Sequence, residues 1–319
     1  MRVLVTGSSG FLGRHVVAAH RAAGHDVIGL DQVAAPDGAD DGDGGVEPVG
    51  TVERVVGDVR DVDAVAAALD GCDAVYHLAA VADLGAAAED PLRAAQVNVV
   101  GTSAALEACR RTGVTRFVHA STVYVHASAG SVYRTTKRAA ESLVHDCAEL
   151  WGLRPTVLRF GSLYGPGADA DNAIRRIITM ALTEGRIDFW GDGTEVREYI
   201  HAADAARLAV RALEDRFVGR TLHLVGRDRM TTGEMVRMVA EIVGSDVPVA
   251  FGEERYRGRY HLTPYSLDAG RISIGERLTD ETYVDLGLGL LDTMQHLAAD
   301  LGVGADGVAG PSRDGTGQP

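Results

Sequence analysis

The chain has 319 residues, 46% of them hydrophobic and 24% charged, with a formal net charge of −14 at pH 7. That length suits one large domain, or a domain carrying a smaller lobe. The acidic balance has no basic stripe, which excludes nucleic acid as an expected partner, and no apolar run reaches the roughly 18 residues that cross a bilayer, which excludes a membrane span.

Met1-Arg2 leads straight into strand-like Val3-Leu4-Val5-Thr6, so no secretory leader is expected. From there short apolar runs alternate with helical patterns, as a parallel sheet with crossover helices requires. Strands are predicted at 2–6, 26–30, 54–56, 73–78, 115–120 and 154–159, and helices at 11–23, 61–69, 91–112 and 133–151. Residues 36–50, rich in Asp and Gly, interrupt this rhythm as an exposed loop after the second strand. Beyond about residue 160 helices are predicted near 171–184, 202–214 and 232–243, with strands near 187–190 and 221–225. From about 303 the chain is Gly-, Asp- and Ser-rich without apolar periodicity, and a mobile tail is predicted. The expected architecture is α/β. A Rossmann-type doubly wound parallel sheet spans 1–160, with later segments able to return to it. A smaller C-terminal α/β substrate lobe spans 161–302, and the tail 303–319. Cys72, Cys109 and Cys147 are odd in number and far apart, so buried thiols in a reducing, cytoplasmic compartment are expected, without a disulfide frame or a metal site.

The first strand runs into Gly7-Ser8-Ser9-Gly10-Phe11-Leu12-Gly13 and then an amphipathic helix. Glycine is needed where backbone turns tightly, approaches a pyrophosphate, or packs helix on strand, and the helix N-terminus offers unpaired N–H groups to phosphate. Asp31 ends the next strand, 18 residues after Gly13, where a carboxylate accepts from ribose hydroxyls and repels a 2′-phosphate. Loop and carboxylate together point to NAD rather than NADP; Asp31 alone reads equally as a solvated turn residue. Gly57-Asp58-Val59 follows the third strand, where Asp58 reads either as an adenine contact or as the N-cap of 61–69. His77-Leu78-Ala79-Ala80 closes the fourth strand with small residues that let backbone pass near a cofactor; His77 itself reads as a satisfied core histidine.

Tyr133 and Lys137 are four apart on one helix face. A neighbouring ammonium stabilises phenolate, so the tyrosine pKa is expected to fall from about 10 toward neutrality, making it a general base and acid. Thr122 lies just past the fifth strand, at the sheet edge where open α/β folds bind ligands, and its hydroxyl can hold a substrate oxygen. A Tyr-x-x-x-Lys pair alone is as often an ordinary exposed helix face; the loop upstream argues against that here.

These segments resemble an extended short-chain dehydrogenase/reductase of the nucleotide-sugar epimerase/dehydratase family, of the UDP-galactose 4-epimerase kind. The resemblance runs from residue 1 to about 300. It rests on Thr-Gly-Ser-Ser-Gly-Phe-Leu-Gly at 6–13, Gly-Asp-Val at 57–59, His-Leu-Ala-Ala at 77–80, Asn98-Val-Val-Gly-Thr and Ala-Ser-Thr at 120–122. It continues with Tyr133-Arg-Thr-Thr-Lys137, Leu-Arg-Phe-Gly-Ser-Leu-Tyr-Gly-Pro-Gly at 158–167 and Gly-Asp-Gly-Thr-Glu-Val-Arg-Glu-Tyr-Ile-His at 191–201. It implies cofactor contacts from Gly7, Ser9, Gly10, Phe11, Leu12, Gly13, Asp31, Asp58, Val59, Leu78, Ala79, Ala80, Asn98, Tyr133 and Lys137. Catalysis would fall to Thr122, Tyr133 and Lys137. Nucleotide-diphosphate sugar would be held by Thr122, Ser162, Asn172, Arg197 and Arg259, with Arg197 on the diphosphate. Arg197 also reads as a surface ion pair with Glu195 or Glu198, and Asn172 as an N-cap. A homodimer through 91–112 and 133–151 is implied; Ala140, Leu143, Val144, Cys147 and Trp151 suit that use or the core.

The chain departs from the family pattern in three places. Ser162 stands where asparagine is frequent. Val125-His126-Ala127 replaces Val-Tyr-Gly, an alignment that makes Thr122 the catalytic hydroxyl with Ser121 as the alternative. Only 11 positions separate Thr122 from Tyr133, a segment longer in relatives, which points to a more open pocket. The family's 4,6-dehydratases carry Asp-Glu directly after the catalytic threonine. Here Val123-Tyr124 offers no carboxyl group, and the glutamate used by the family's decarboxylases is missing too. The expected reaction is therefore 4-epimerisation, by transient oxidation at C4 and hydride return to the opposite face. A nucleotide-4-keto-deoxysugar reductase is the alternative, and a non-catalytic NAD sensor, which needs only the loop, a third.

Overall fold

The computed structural model describes residues 1–34, 49–127, 131–227, 229–244, 246–252 and 273–303. Most of the predicted 36–50 loop, Arg259 and the tail beyond 303 lie outside the described residues. The strands are β1 (Arg2–Thr6), β2 (Asp26–Asp31), β3 (Val52–Val56), β4 (Ala74–His77), β5 (Arg116–Thr122), β6 (Arg154–Phe160), β7 (Ser162–Tyr164), β8 (Ile187–Trp190), β9 (Val196–His201), β10 (Arg220–Leu224), β11 (Arg229–Thr231), β12 (Val249–Gly252) and β13 (Glu276–Arg277). The helices are α1 (Phe11–Ala22), α2 (Val62–Ala68), α3 (Leu84–Glu89), α4 (Pro91–Ala95), α5 (Gly101–Thr112), α6 (Val132–Trp151), α7 (Ala173–Glu184), α8 (Ala202–Arg211), α9 (Thr232–Val243) and α10 (Leu286–Leu301).

Eight strands form one parallel sheet in the order β13-β10-β6-β5-β4-β1-β2-β3. Apolar residues occupy both faces of β1 and β4, as a sheet covered on both sides requires. Val16, Val17, Ala205 and Leu208 of α1 and α8 cover one face. Leu106 of α5 and Val144 of α6 cover the other, over Leu4, Val75 and Phe117. Strand order reverses between β1 and β4, and the crevice at their carboxyl ends is where such sheets take ligands. The strand predicted near 221–225 is β10, parallel to β6 in this central sheet, and α8 packs beside α1. The remaining C-terminal elements build their own core from Ile177 and Ile178 of α7, Val236 and Val239 of α9, and Leu290 and Met294 of α10. Ala140 and Val144 are wholly buried and Cys147 nearly so, which makes them core; Trp151 stays 43% exposed.

Candidate active site

Gly7 turns the chain with φ +71°, and a Cβ there would lie 2.8 Å from Ala79 N. Gly10 ends the loop as the N-cap of α1, and no side chain caps that helix. Its first N–H groups and positive dipole end therefore face the crevice, the donor set a pyrophosphate needs. Gly13 packs so closely that a Cβ would sit 2.0 Å from Gly7 O. Phe11 seats its ring against Ala168 and Ala202, and Leu12 leans on the core. Asp31 Oδ2 accepts from Ser9 N–H at 2.9 Å, so the carboxylate at the end of β2 is held against the loop. This cradle fits a dinucleotide.

Asp58 does not cap the following helix. Asp61 does, accepting from Asp63 and Ala64 N–H. Asp58 instead chelates Arg60 through Nε at 2.9 Å and a second guanidinium nitrogen at 2.5 Å. Hydrogen bonds from Arg60 and Gln32 hold its carboxyl down at about 2. Val59 buries its side chain in the core. His77 is bonded at both ring nitrogens, to Thr6 Oγ1 at 3.1 Å and Thr102 Oγ1 at 3.0 Å, and burial keeps it neutral with a pKa of about 3. Leu78, Ala79 and Ala80 line the half-buried turn after it.

The helix predicted at 91–112 is α4 and α5 joined by a π turn at Gln96–Val100, a register insertion frequent at functional sites. The turn carries Asn98. Asn98 Oδ1 accepts from Val81 N–H at 2.8 Å, and its Nδ2 donates to Val81 O and Thr136 Oγ1. The amide is thereby fully engaged with protein: Asn98 pins the segment after β4 to α6.

β5 delivers Thr122, and the first turns of α6 deliver Tyr133 and Lys137, all three less than a tenth exposed. Ser131 caps α6. The Thr122 hydroxyl accepts from Tyr124 N–H at 3.2 Å and favours ionisation of the Tyr133 phenol. The expected fall in tyrosine pKa is not found. Burial raises it well above 10, Tyr124 adds to the rise, and only the Thr122 side chain opposes it. Desolvating a phenolate outweighs what neighbours return while the site holds protein alone. Lys137 is pushed down to about 8 by burial, with Glu141 opposing. It is also the single lysine of the chain; the other 30 of the 31 Lys and Arg residues are arginine.

On the facing side, Arg197 of β9 is buried, so it is no surface pair. Its guanidinium donates to the Tyr124 hydroxyl at 3.0 Å, lies over that ring at 5.5 Å and stands 3.7 Å from Glu195. Asn172 caps α7, accepting from Ile174 and Arg175 N–H, and donates to Leu163 O at 2.9 Å. Ser162 opens β7, half-buried and in register with Tyr199. The sequence reading missed Tyr124 as a member of the site. It also missed the buried pair of Glu141 with Arg159, although a glutamate on the apolar face of α6, one turn past Lys137, was a visible signal. A cavity of about 300 Å³ lined by Tyr164, His201, Asp204, Arg227 and Tyr283 includes none of Thr122, Tyr133 or Lys137.

Comparison with known proteins agrees with this geometry. The family model described as "NAD dependent epimerase/dehydratase family" matches residues 3–224. A dTDP-glucose 4,6-dehydratase of Mycolicibacterium smegmatis is 31% identical over 94% of this chain and 94% of its own length. A UDP-glucose 4-epimerase of the same organism is 30% identical over 77% of this chain and 83% of its own. The crystal structure of a Thermus thermophilus UDP-glucose 4-epimerase in complex with NAD superimposes with a TM-score of 0.74 at 27% identity, covering 93% of this chain and 99% of that one. With a family model spanning the crevice and a relative alike from end to end, the chain belongs to the NAD dependent epimerase/dehydratase family.

Proposed function

We propose that the protein is an NAD-dependent nucleotide-sugar 4-epimerase. The carrying observation is the placement of the chain's only lysine. A sequence that uses arginine 30 times for its other cations keeps one lysine, 2% exposed, one turn after Tyr133 and beside the strand end that bears Thr122. Arginine stays charged at every accessible pH, whereas a buried lysine titrates near neutrality.

Gly7, Ser9, Gly10, Gly13 and Asp31 would hold NAD, with Leu78, Ala79 and Ala80 passing along it and Asn98 and Val59 shaping the wall. When bound, NAD supplies the acceptor for the C4 hydride and its donor on return. Thr122 holds the 4-oxygen. Tyr133 takes the hydroxyl proton and gives it back after the sugar has turned. Lys137 places a positive charge against the developing tyrosinate, acting with Thr122 against the burial that keeps the phenol protonated at rest. Arg197, backed by Tyr124 and Glu195, presents a planar donor fork suited to the diphosphate, with Ser162, Asn172 and Arg259 on the sugar and nucleotide. A cytoplasmic homodimer belongs to the same proposal; Val100, Leu150 and Trp151 are exposed on the helices it would use.

The second reading, a 4,6-dehydratase, is favoured by the relative matched over 94% of the chain. Against it, Val123 and Tyr124 stand where that reaction needs a carboxyl group. The named relatives are epimerases and dehydratases, which does not favour a ketoreductase. Incubation with UDP- and dTDP-sugars deuterated at C4 tests the proposal. The C4 epimer should form with the label kept at C4 and no net NADH. A keto product lighter by one water would establish the dehydratase instead.

A further inference from the structure

Behind the catalytic pair lies a buried chain of polar contacts. Glu141 follows Lys137 by one turn on the same face of α6 and is 5% exposed. Ser121 Oγ, adjacent to Thr122, donates to Glu141 Oε1 at 2.5 Å. Arg159 of β6, fully buried, donates from Nε to Oε1 at 2.9 Å and from a terminal nitrogen to Oε2 at 2.6 Å. Its other terminal nitrogen donates to His126 Nε2 at 2.9 Å and to Ser273 O. His126 ends the 3-10 turn Val123–His126 that carries Tyr124. One carboxylate thus joins β5, β6 and α6 and faces two cations, Arg159 by direct bonds and Lys137 across one helical turn.

We propose that Glu141 is a positioning residue of the active site: clamped by Arg159 and Ser121, its carboxylate keeps the Lys137 ammonium charged and ties the strand bearing Thr122 to the helix bearing Tyr133. The inference rests on the catalytic reading of Lys137 given above.

The surroundings of Lys137 leave this task to Glu141. From β4 it meets His77 and from β5 His119, and burial makes both imidazoles neutral. His119 has no hydrogen-bond partner for either ring nitrogen among the described residues. Tyr133 on α6 is a neutral phenol, and the π turn brings the neutral amide of Asn98. Arg159 stands behind the carboxylate. Among the described residues Glu141 is the one charged group acting on Lys137 appreciably, and it opposes burial. With Glu141 ionised and both lysine and arginine charged, the buried cluster carries one net positive charge, the sign that favours a tyrosinate beside it.

Because Lys137 is the only lysine, protein grown on lysine labelled with 13C and 15N gives one side-chain ammonium resonance. Its pH midpoint can be read without cofactor or substrate. The wild type should titrate near 8. Glu141→Gln should lower that midpoint by at least one unit, and Glu141→Asp, which retracts the charge by one methylene, by less. Ser121→Ala alters no charge, so the midpoint should hold while kcat falls severalfold with NAD affinity unchanged. An unmoved midpoint in Glu141→Gln, or in Glu141→Asp if the glutamine variant does not fold, would overturn the charge-holding role. An unaltered kcat in Ser121→Ala would overturn the brace. Since the midpoint is measured on the free protein, a chain that epimerises no sugar would refute the function and leave the Glu141 result standing.

Discussion

Two glycines of the first loop should separate cleanly under the same substitution. In Gly13→Ala the new Cβ would lie 2.0 Å from Gly7 O and 2.9 Å from Gly7 C and Ser8 Cα, all backbone atoms of the turn itself. Overpacking typically costs about 1–3 kcal/mol, and an overlap this deep against backbone belongs at the upper end. With an unfolding entropy of about 2.1 cal/mol/K per residue, roughly 0.67 kcal/mol/K for this chain, a loss near 3 kcal/mol lowers Tm by about 4–5 °C. Gly10 differs. Its φ of −72° and ψ of 170° suit any residue, and a Cβ would meet only Gly7 O at 3.4 Å. The weaker alanine N-cap and the lower entropy of the unfolded chain nearly offset each other, leaving stability within about 1 kcal/mol. The methyl group would instead stand at the uncapped helix end where a pyrophosphate must approach. Gly10→Ala should therefore weaken NAD binding by tenfold or more, about 1.4 kcal/mol, at nearly unchanged Tm. Scanning calorimetry and isothermal titration measure both quantities on the same samples. Equal loss of stability in the two variants, or wild-type NAD affinity in Gly10→Ala, would refute this division of labour.

Tyr133→Phe should keep NAD affinity while turnover falls by about 10²–10⁴; a near-normal kcat removes Tyr133 from the mechanism. Wild-type protein should bind NAD at least tenfold more tightly than NADP, about 1.4 kcal/mol, and Asp31→Ala should narrow that gap; equal wild-type affinities would sink the assignment. Stability should fall on acidification. His20 and His77 have folded pKa values lowered to about 3 from 6.5 by burial, so the unfolded chain binds more protons between those values. Their contribution is complete above pH 6.5 and is lost as pH falls toward 3, at up to about 1.4 kcal/mol per pH unit for each. Urea midpoints that stay level from pH 7 to 4.5 would contradict this.

The glycine loop was legible because its requirements are steric and local: a strand, a positive φ at Gly7, a close contact at Gly13. That Thr122 stands at a strand end, and Tyr133 and Lys137 one turn apart on a helix, was legible from local pattern and helical spacing. What was not legible depends on distant partners or on competing local choices. Periodicity over 91–112 reads as one helix because a π insertion at Gln96–Val100 preserves helical character while turning Asn98 inward. Asp58 and Asp61 are both plausible caps by type, and the backbone at Asp61 decides. Helix α10 was missed because Gly287 and Gly289 in its first turns depress helix propensity, while burial of Leu290, Met294 and Leu297 supplies the stability. That β10 pairs with β6, some sixty residues earlier, is a matter of sheet register, which no local pattern carries. The tyrosine pKa went the other way because sequence shows neighbours but not burial.

The distribution of cations ties these points together. Where the fold needs a permanent buried charge, it uses arginine and surrounds it with acceptors. Arg116 donates to Arg154 O, Thr156 Oγ1 and Ala212 O, and Arg159 to Glu141, His126 and Ser273. A guanidinium in such a setting stays charged and satisfies several carbonyls through its fixed fork. On the proposed mechanism, the lysine one turn after Tyr133 has a different task. It must carry a charge that responds to its surroundings and fit a compact ammonium between neutral imidazoles and a phenol, and lysine alone among the cations does both. Burial at that point lowers its pKa to about 8, and a single carboxylate one turn away opposes the fall. On the proposed mechanism, the chain uses arginine for these buried structural charges and keeps its one lysine where the charge has to be adjustable.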